Sequence, residues 1–579
     1  MEVRDYEYYK AREKDIKLED ITSSQNNEVI LASLRDDDPV EDMYIGTNNN
    51  YEFVVREGDH LGWLGYFVGK STQLEALYIY NCPENINLNA FFEGLGRNRS
   101  IETLGINIDL GESFKSLLPF LRNNDSLYTL GFNGIDIGPQ CAPNISFLLS
   151  QQSFLRSLDF DETNLDDAGL KQIAVTLRSQ PQLEQISLKY NSDLAVANPD
   201  NGDEGLIALA AELKHSHSLR SLEVFGSHMF TEEGSRSLST LFLSDNCRLE
   251  YLELGQMSIG DDEAAVLATG LASLSSLKRL EFWGMSISDR GLQDLVRGLA
   301  NCNLEKLTLS SNMLMDSVSG LRALGALVRK MTNMHTLHLC DSLTDEGLQS
   351  FVEGMAYCCS LTKLYLTWNR SITANGLTYL SSLFRAEHCS LSDLSLHHIY
   401  LGDDEAAALA NGLIGNKSLT SLRFDAQSIT VRGWSAFRRL LCDSSSMNDT
   451  YLSNHTLVEI GEYRMENTPM DVVKYLKLNE TDNQAAAICK ILHSHPDIDV
   501  TPLFRFNLMC LPLVVAWFEK AKSCLCNMNE STESFQSREL SAVYKFVRGM
   551  PLLAANGFRS EMMKDIQVQS KKRKLDQTV

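Results

Sequence analysis

Six short stretches hold residue types that could do chemistry. GYFVGKS (Gly65–Ser71) sets two glycines before Lys-Ser, the order of a phosphate loop. In such a loop backbone N–H groups cradle phosphates and the lysine reaches them. This stretch has one residue too few between its glycines, no strand leads into it, and it falls where its segment reads as a helix end. His215-Ser-His217 and His493-Ser-His495 each offer two imidazoles, but no third ligand follows in the fixed spacing that zinc requires. Cys358-Cys359 and Cys524-Leu-Cys526 lack the gap of C-x-x-C, so they read as buried or idle thiols. The motifs of zinc proteases, serine hydrolases and dinucleotide binding do not occur. No catalytic, cofactor-binding or metal-ligating residue is assigned, and an enzyme is not expected.

The sixth stretch, Ser570–Asp576, is of another kind. Lys571, Lys572, Arg573 and Lys574 are four consecutive cations in a chain whose net charge is −24. They read as a nuclear import signal for an import receptor, which places the protein in the nucleus or between nucleus and cytoplasm. Residues after Tyr463 carry +3, which leaves −27 on residues 1–463. A body so acidic repels nucleic-acid phosphates and suits a partner protein with a basic surface. The N-terminus, MEVRDYEYYKAREKD, lacks the apolar run of a signal peptide. LMCLPLVVAWF (Leu508–Phe518) falls short of the ~20 residues a membrane span needs. The 13 cysteines share no repeated spacing, as expected of reduced thiols. Sequons at Asn98 and Asn369 are then incidental.

Most of the chain is built on a repeat. L-x-x-L-x-L, with Ile, Val, Phe or Met substituting, begins at Leu74, Ile101, Leu127, Leu155, Leu183, Leu219, Leu249, Leu277, Leu304, Met334, Leu361, Leu391 and Leu419, 26–36 residues apart. Val40-x-x-Met43-x-Ile45 is a degenerate earlier copy and Leu457-x-x-Ile460 a closing one. Each period also has a helical half. In GDDEAAVLATGLASL and GDDEAAALANGLIGN, aspartates suit an N-cap and first turn, and Ala265, Leu267, Ala268, Leu271 or Ala407, Leu409, Ala410, Leu413 recur at helical spacing. Neither half can bury its apolar side alone, so stacked copies must share one core.

LDFDETNLDDAGLKQIAVTL and LHLCDSLTDEGLQSFVEGM resemble leucine-rich repeats of the ribonuclease-inhibitor type. That resemblance covers about residues 40–463 and implies an α/β horseshoe solenoid, with parallel strands on the concave face, helices on the convex face and a helical C-terminal cap. The Asn or Cys that usually follows the strand is present as Cys82, Asn191, Asn312 and Asn369. Thr163, Met257, Met285 and Ser342 stand there elsewhere, which predicts an incomplete polar ladder under the loops. SNHTL followed by LKLN and a helical tail resembles ribonuclease-inhibitor-like proteins of microalgae.

The expected organisation is an N-terminal lead and cap (1–39), about 14–15 repeats (40–463), a helical C-terminal region (464–562) and a basic tail (563–579). Four amphipathic segments, MDVVKYLKL, DNQAAAICKILHSH, NLMCLPLVVAWFEKAKS and SRELSAVYKFVRGM, would close the core's open end.

Alternate strand residues face away from the core. From Leu155 onward, the position between the second and third apolar residues reads Asp159, Ser187, Glu223, Glu253, Glu281, Thr308, His338 and Tyr365. Three consecutive glutamates stand in one row, with Arg279 and Lys306 beside them and Phe225, Tyr251 and Trp283 interleaved. Exposed aromatic clusters are enriched where proteins bind. The expected function is a non-catalytic scaffold that binds a protein across Glu223, Phe225, Tyr251, Glu253, Arg279, Glu281, Trp283 and Lys306. The alternative is a GTPase-activating protein for a Ran-type small GTPase, since those activators use the same repeat, although no catalytic residue of theirs matches a position here. Inhibition of a basic ribonuclease suits the acidity but sits poorly with the modest cysteine content.

Overall fold

The structure, a computed structural model, describes residues 4–495 apart from 47–51, 57, 81–87, 108–116, 118, 122–123, 136, 153, 192–202, 227–229, 258, 311–316, 387–388 and 463–466. Two compact units divide the chain, Met1–Ser342 and Leu343–Val579, and repeats occur in both.

In the first unit the strands are β1 (Val40–Gly46), β2 (Glu52–Val54), β3 (Leu74–Ile79), β4 (Thr103–Ile106), β5 (Thr129–Asn133), β6 (Ser157–Asp161), β7 (Gln185–Lys189), β8 (Ser221–Phe225), β9 (Tyr251–Gly255), β10 (Arg279–Trp283), β11 (Lys306–Ser310) and β12 (Thr336–Cys340). All pair in parallel. From β3 onward they do so in sequence order, apolar on apolar: Leu252, Leu280, Leu307 and Leu337 form one buried line across β9–β12. A one-residue slip would turn every such leucine to the opposite face, so the repeat itself fixes the register. The degenerate first copy joins the pattern, with Val40, Met43 and Ile45 facing Leu74, Leu77 and Ile79.

β2 follows β1 in sequence but lies outside it. Its free edge would invite pairing with another chain. Helix Gln25–Asp36 occupies it instead: Asn27 exchanges two 2.8 Å hydrogen bonds with Val54, and Asn26 Nδ2 donates to Glu52 O at 2.7 Å.

The second unit holds β13 (Lys363–Tyr365), β14 (Asp393–Ser395), β15 (Ser421–Arg423) and β16 (Glu459–Gly461), again parallel and in order. Helices Met470–Asn479 and Asn483–Ser494 follow. Here Asn479 Nδ2 donates to Leu457 O at 2.6 Å, while fully buried Lys490 donates to Leu441 O at 2.7 Å and Asn454 O at 2.9 Å. Burial lowers the Lys490 ammonium to about 7. The other two segments expected in the cap, Cys524-Leu-Cys526 and Lys571–Lys574 lie outside the described residues.

Two polar ladders join the repeats. In the first, the aspartate after a helix N-cap bonds forward rather than within its own helix. Asp261 accepts from the Ser288 backbone N–H at 2.8 Å and its hydroxyl at 2.5 Å, and Asp403 does the same for Thr430 at 2.8 and 2.6 Å. The D-D-E motif is thus a link between successive helices. In the second, Asn or Gln three residues before the first leucine takes a carbonyl left over at the end of the previous repeat. Asn98 bonds Val68 O at 2.7 Å, Gln180 bonds Leu149 O at 2.6 Å and Asn416 bonds Phe384 O at 2.8 Å.

The ladder expected after the strand is indeed partial. Thr163 bonds Asn191, and Leu343 N–H donates to Asn369. Met257 and Met285 fill the same place as buried apolar side chains, so Met285 belongs to the core. Ala264 and Ala406 take the buried places expected of Ala265 and Ala407. Both sequon asparagines, Asn98 and Asn369, are buried.

Candidate protein-docking face

The stretches that could do chemistry dissolve into the fold. All of GYFVGKS but its last residue, Ser71, lies in helix Gly58–Lys70, where Gly65 lets the backbone of Ala90 and Phe91 approach. His215 and His217 are exposed; His495 bonds Thr450 at 2.8 Å and His493 bonds Lys474 at 3.1 Å. Among the described residues no three His, Cys, Asp or Glu side chains group as metal ligands, and no helix is long and apolar enough to cross a membrane.

What remains is the open face of the sheet. Its middle row in the first unit is continuous in register: Tyr44, Tyr78, Gly105, Gly131, Asp159, Ser187, Glu223, Glu253, Glu281, Thr308, His338. The eight expected site residues come together on β8–β11, but in a different electrostatic state from a solvated row. Glu223, Glu253 and Glu281 are only 7–8% exposed. Lys189 Nζ bridges Glu223 at 2.6 Å and Glu253 at 3.2 Å, and Lys306 Nζ holds Glu281 at 2.7 Å. Tyr251 donates to Glu253 at 2.9 Å. Burial pulls the Lys189 ammonium down, yet Glu223 and Glu253 outweigh it and hold the group above the ordinary lysine range. Burial, then the charges of Glu281 and Glu253, raise the Tyr251 phenol. The glutamates are therefore counter-ions fixing two lysines and a tyrosine in place, a role that row-reading alone could not assign. Lys189 was absent from the expected set.

The rest of the group faces outward. Arg279 is exposed; its backbone N–H donates to Glu250 O at 2.9 Å, and its guanidinium has no hydrogen bond or ion pair among the described residues. Trp283 is half-buried, and its indole Nε1–H has no acceptor among them. Phe225 packs against Tyr190 with ring centroids 4.9 Å apart and lies across Gly255, where any Cβ would overlap its ring.

Toward β1 the same row changes character. Tyr44 and Tyr78 stack at 5.1 Å, with partly exposed Tyr80 behind them. The Tyr78 ring leans over Gly105, and Gly131 is bare. Asp159 and Asp161 close this end, each with one carboxylate oxygen lacking a hydrogen-bond partner among the described residues. Burial, then the charge of Glu223, lifts the Asp159 carboxyl to about 6, and burial also raises Asp161. Reading the row only from Leu155 onward missed this end, although the same position in earlier copies spells Tyr, Tyr, Gly, Gly.

In the second unit, Trp368 and His398 sit in left-handed backbone (φ +65° and +60°) just after β13 and β14. Their rings stack at 3.8 Å, and Asp425 accepts from the His398 backbone N–H at 2.9 Å while its other oxygen pairs with His397.

Parallel strands alternating with helices around a leucine-on-leucine core decide the class. The chain is a leucine-rich-repeat protein of the ribonuclease-inhibitor type. The family model described as Leucine Rich repeat matches residues 357–381. The ribonuclease inhibitor of Sus scrofa is 26% identical over 52% of this chain and 72% of that protein. That of Mus musculus is 24% identical over 64% and 88%. NACHT, LRR and PYD domains-containing protein 5 of Homo sapiens is 25% identical over 54% of this chain, which spans only 23% of that protein. By name, then, two relatives of this ribonuclease-inhibitor-type chain act on another protein.

Proposed function

We propose that the chain is a non-catalytic scaffold that receives a partner protein on the open face of its sheet. The observation that carries this is the row on β8–β10. Phe225, Tyr251 and Trp283 stand beside a free Arg279, on a floor whose carboxylates are already held by Lys189 and Lys306. Such a surface offers aromatic anchors and an arginine, the residue types enriched at binding hot spots, without a buried unpaired charge on that floor. Glu223, Glu253 and Glu281 contribute by holding Lys189, Lys306 and Tyr251 rigid. The acidity of residues 1–463 favours a basic partner by long-range steering.

The test is affinity capture with the intact chain, with Arg279→Glu/Trp283→Ala, and with exposed helix-side Val175→Ser. A partner retained by the intact chain and Val175→Ser but lost by the open-face variant supports the reading. Equal retention by all three rejects it. We propose further that Lys571–Lys574 direct nuclear import; grafting Ser570–Asp576 onto an inert cytosolic carrier should concentrate it in nuclei, and four alanines should abolish the shift.

A further inference from the structure

We infer that the open face over β3–β6 holds a subsite for one arginine side chain of the partner, floored by Gly131, walled by Tyr78 and closed by Asp159 and Asp161. This rests on the reading that the open face binds a protein, and adds where and by what chemistry it does so.

Three observations converge. The first is space. Gly105 and Gly131 are consecutive in the middle row, and the Tyr78 ring covers the first of them. At Gly131 an added Cβ would find its nearest atom, Asp159 Cβ, only at 4.0 Å. The second is the wall. Tyr44 stacks on Tyr78 nearly in parallel, 13° between planes, which holds the Tyr78 ring at the edge of the gap. A cation beside such a ring is attracted by its π face.

The third is charge. Asp159 Oδ1 and Asp161 Oδ1 are shielded from solvent and have no hydrogen-bond partner among the described residues. The second oxygens accept from Ser157 at 3.4 Å and Asn133 at 3.1 Å, and the nearby cation, Lys189, is shared with Glu223 and Glu253. The flanking positions Thr103, Thr129 and Asn133 are neutral. An anion placed here would meet two carboxylates whose one cationic neighbour, Lys189, already pairs with Glu223 and Glu253, and an apolar group would dry them further. A metal ion would find two carboxylates where a third protein ligand is wanted. A guanidinium satisfies both walls, because its plane lies against a tyrosine while its N–H groups fork onto carboxylates.

The test is calorimetric titration of the full-length chain at low salt with acetyl-tetra-arginine amide, beside its citrulline and lysine counterparts. Gly131→Leu should leave the unfolding midpoint unchanged and weaken the arginine probe at least tenfold. Asp159→Asn/Asp161→Asn should weaken it as much. Glu232→Gln/Asp262→Asn, which removes the same charge from the exposed helix side, should stay within twofold. The citrulline probe should not bind, and the lysine probe should bind less tightly. Normal binding to Gly131→Leu overturns the subsite, as does equal weakening by the helix-side pair or displacement of the probe by calcium alone. Trp283→Ala should leave probe affinity within twofold. Loss of the scaffold reading would appear in the capture experiment, whereas loss of the subsite would appear only here.

Discussion

Two halves of one row treat charge in opposite ways. On β8–β10, Glu223, Glu253 and Glu281 are buried beneath Lys189 and Lys306, and the outward chemistry passes to Phe225, Tyr251, Arg279 and Trp283. On β4–β6, glycines leave the floor open, and Asp159 and Asp161 keep oxygens that nothing in the described protein satisfies. Identical register with different occupancy shows that acidity on a repeat surface is no measure of availability. What counts is whether the neighbouring strand supplies the counter-charge.

Removing that counter-charge should have the largest effect. Lys189→Met leaves Glu223 and Glu253 side by side and mostly buried, and should destabilise the chain by about 3–5 kcal/mol in urea unfolding. Asp161→Asn, in the other half, should change stability little. Comparable losses from both would mean the halves are not electrostatically distinct.

Next come the core positions beneath the first half. Leu280→Ala and Met285→Ala should each cost about 2–5 kcal/mol, because both side chains are buried and truncation leaves a cavity. A Met285 loss below ~0.5 kcal/mol would return it to the loop surface, where single substitutions have small effects.

The glycines sharpen the comparison at smaller scale. Gly255→Ala must push aside Phe225 and should cost about 1–3 kcal/mol. Gly131→Ala meets open space and should be neutral or stabilising by up to about 1 kcal/mol, since glycine weakens a strand. Melting curves of the pair distinguish the two.

The smallest effect is a pH slope. Asp159 titrates at about 6 in the folded chain, above the ~4 of a free aspartate. Between those values the folded chain keeps a proton that the unfolded chain has released, so stability falls as pH rises through this window. Affinity for the arginine probe moves the other way, weakening as pH drops through about 6. Glu223, Asp161 and Lys189 act on the same carboxyl, so the informative quantity is the difference from Asp159→Asn. That variant should lose both slopes; an unchanged profile would place the titration elsewhere.

The fold was legible because leucine spacing encodes both strand and register, even in the degenerate copy at Val40. The lateral order of Glu223, Glu253 and Glu281 was legible for the same reason. Their neutralisation was not: Lys189 sits at the outer end of β7, and its reach across two strands depends on rotamers that period alone does not specify. Asp261 and Asp403 stand in the first turn of their helices as expected, but their bonds to the next repeat were not legible, because local capping rules carry no signal of a partner one repeat away. Trp368 and His398 escaped notice because left-handed backbone leaves no periodic signature when the residue is not glycine.

The most direct test is the binding kinetics of the isolated partner on the intact chain, Trp283→Ala and Val175→Ser. If the open face is the docking surface, Trp283→Ala should leave association nearly unchanged and speed dissociation roughly thirtyfold, the equivalent of about 2 kcal/mol. Val175→Ser should match the intact chain. Normal kinetics for Trp283→Ala, with binding abolished by substitutions on the helix side, would contradict the account.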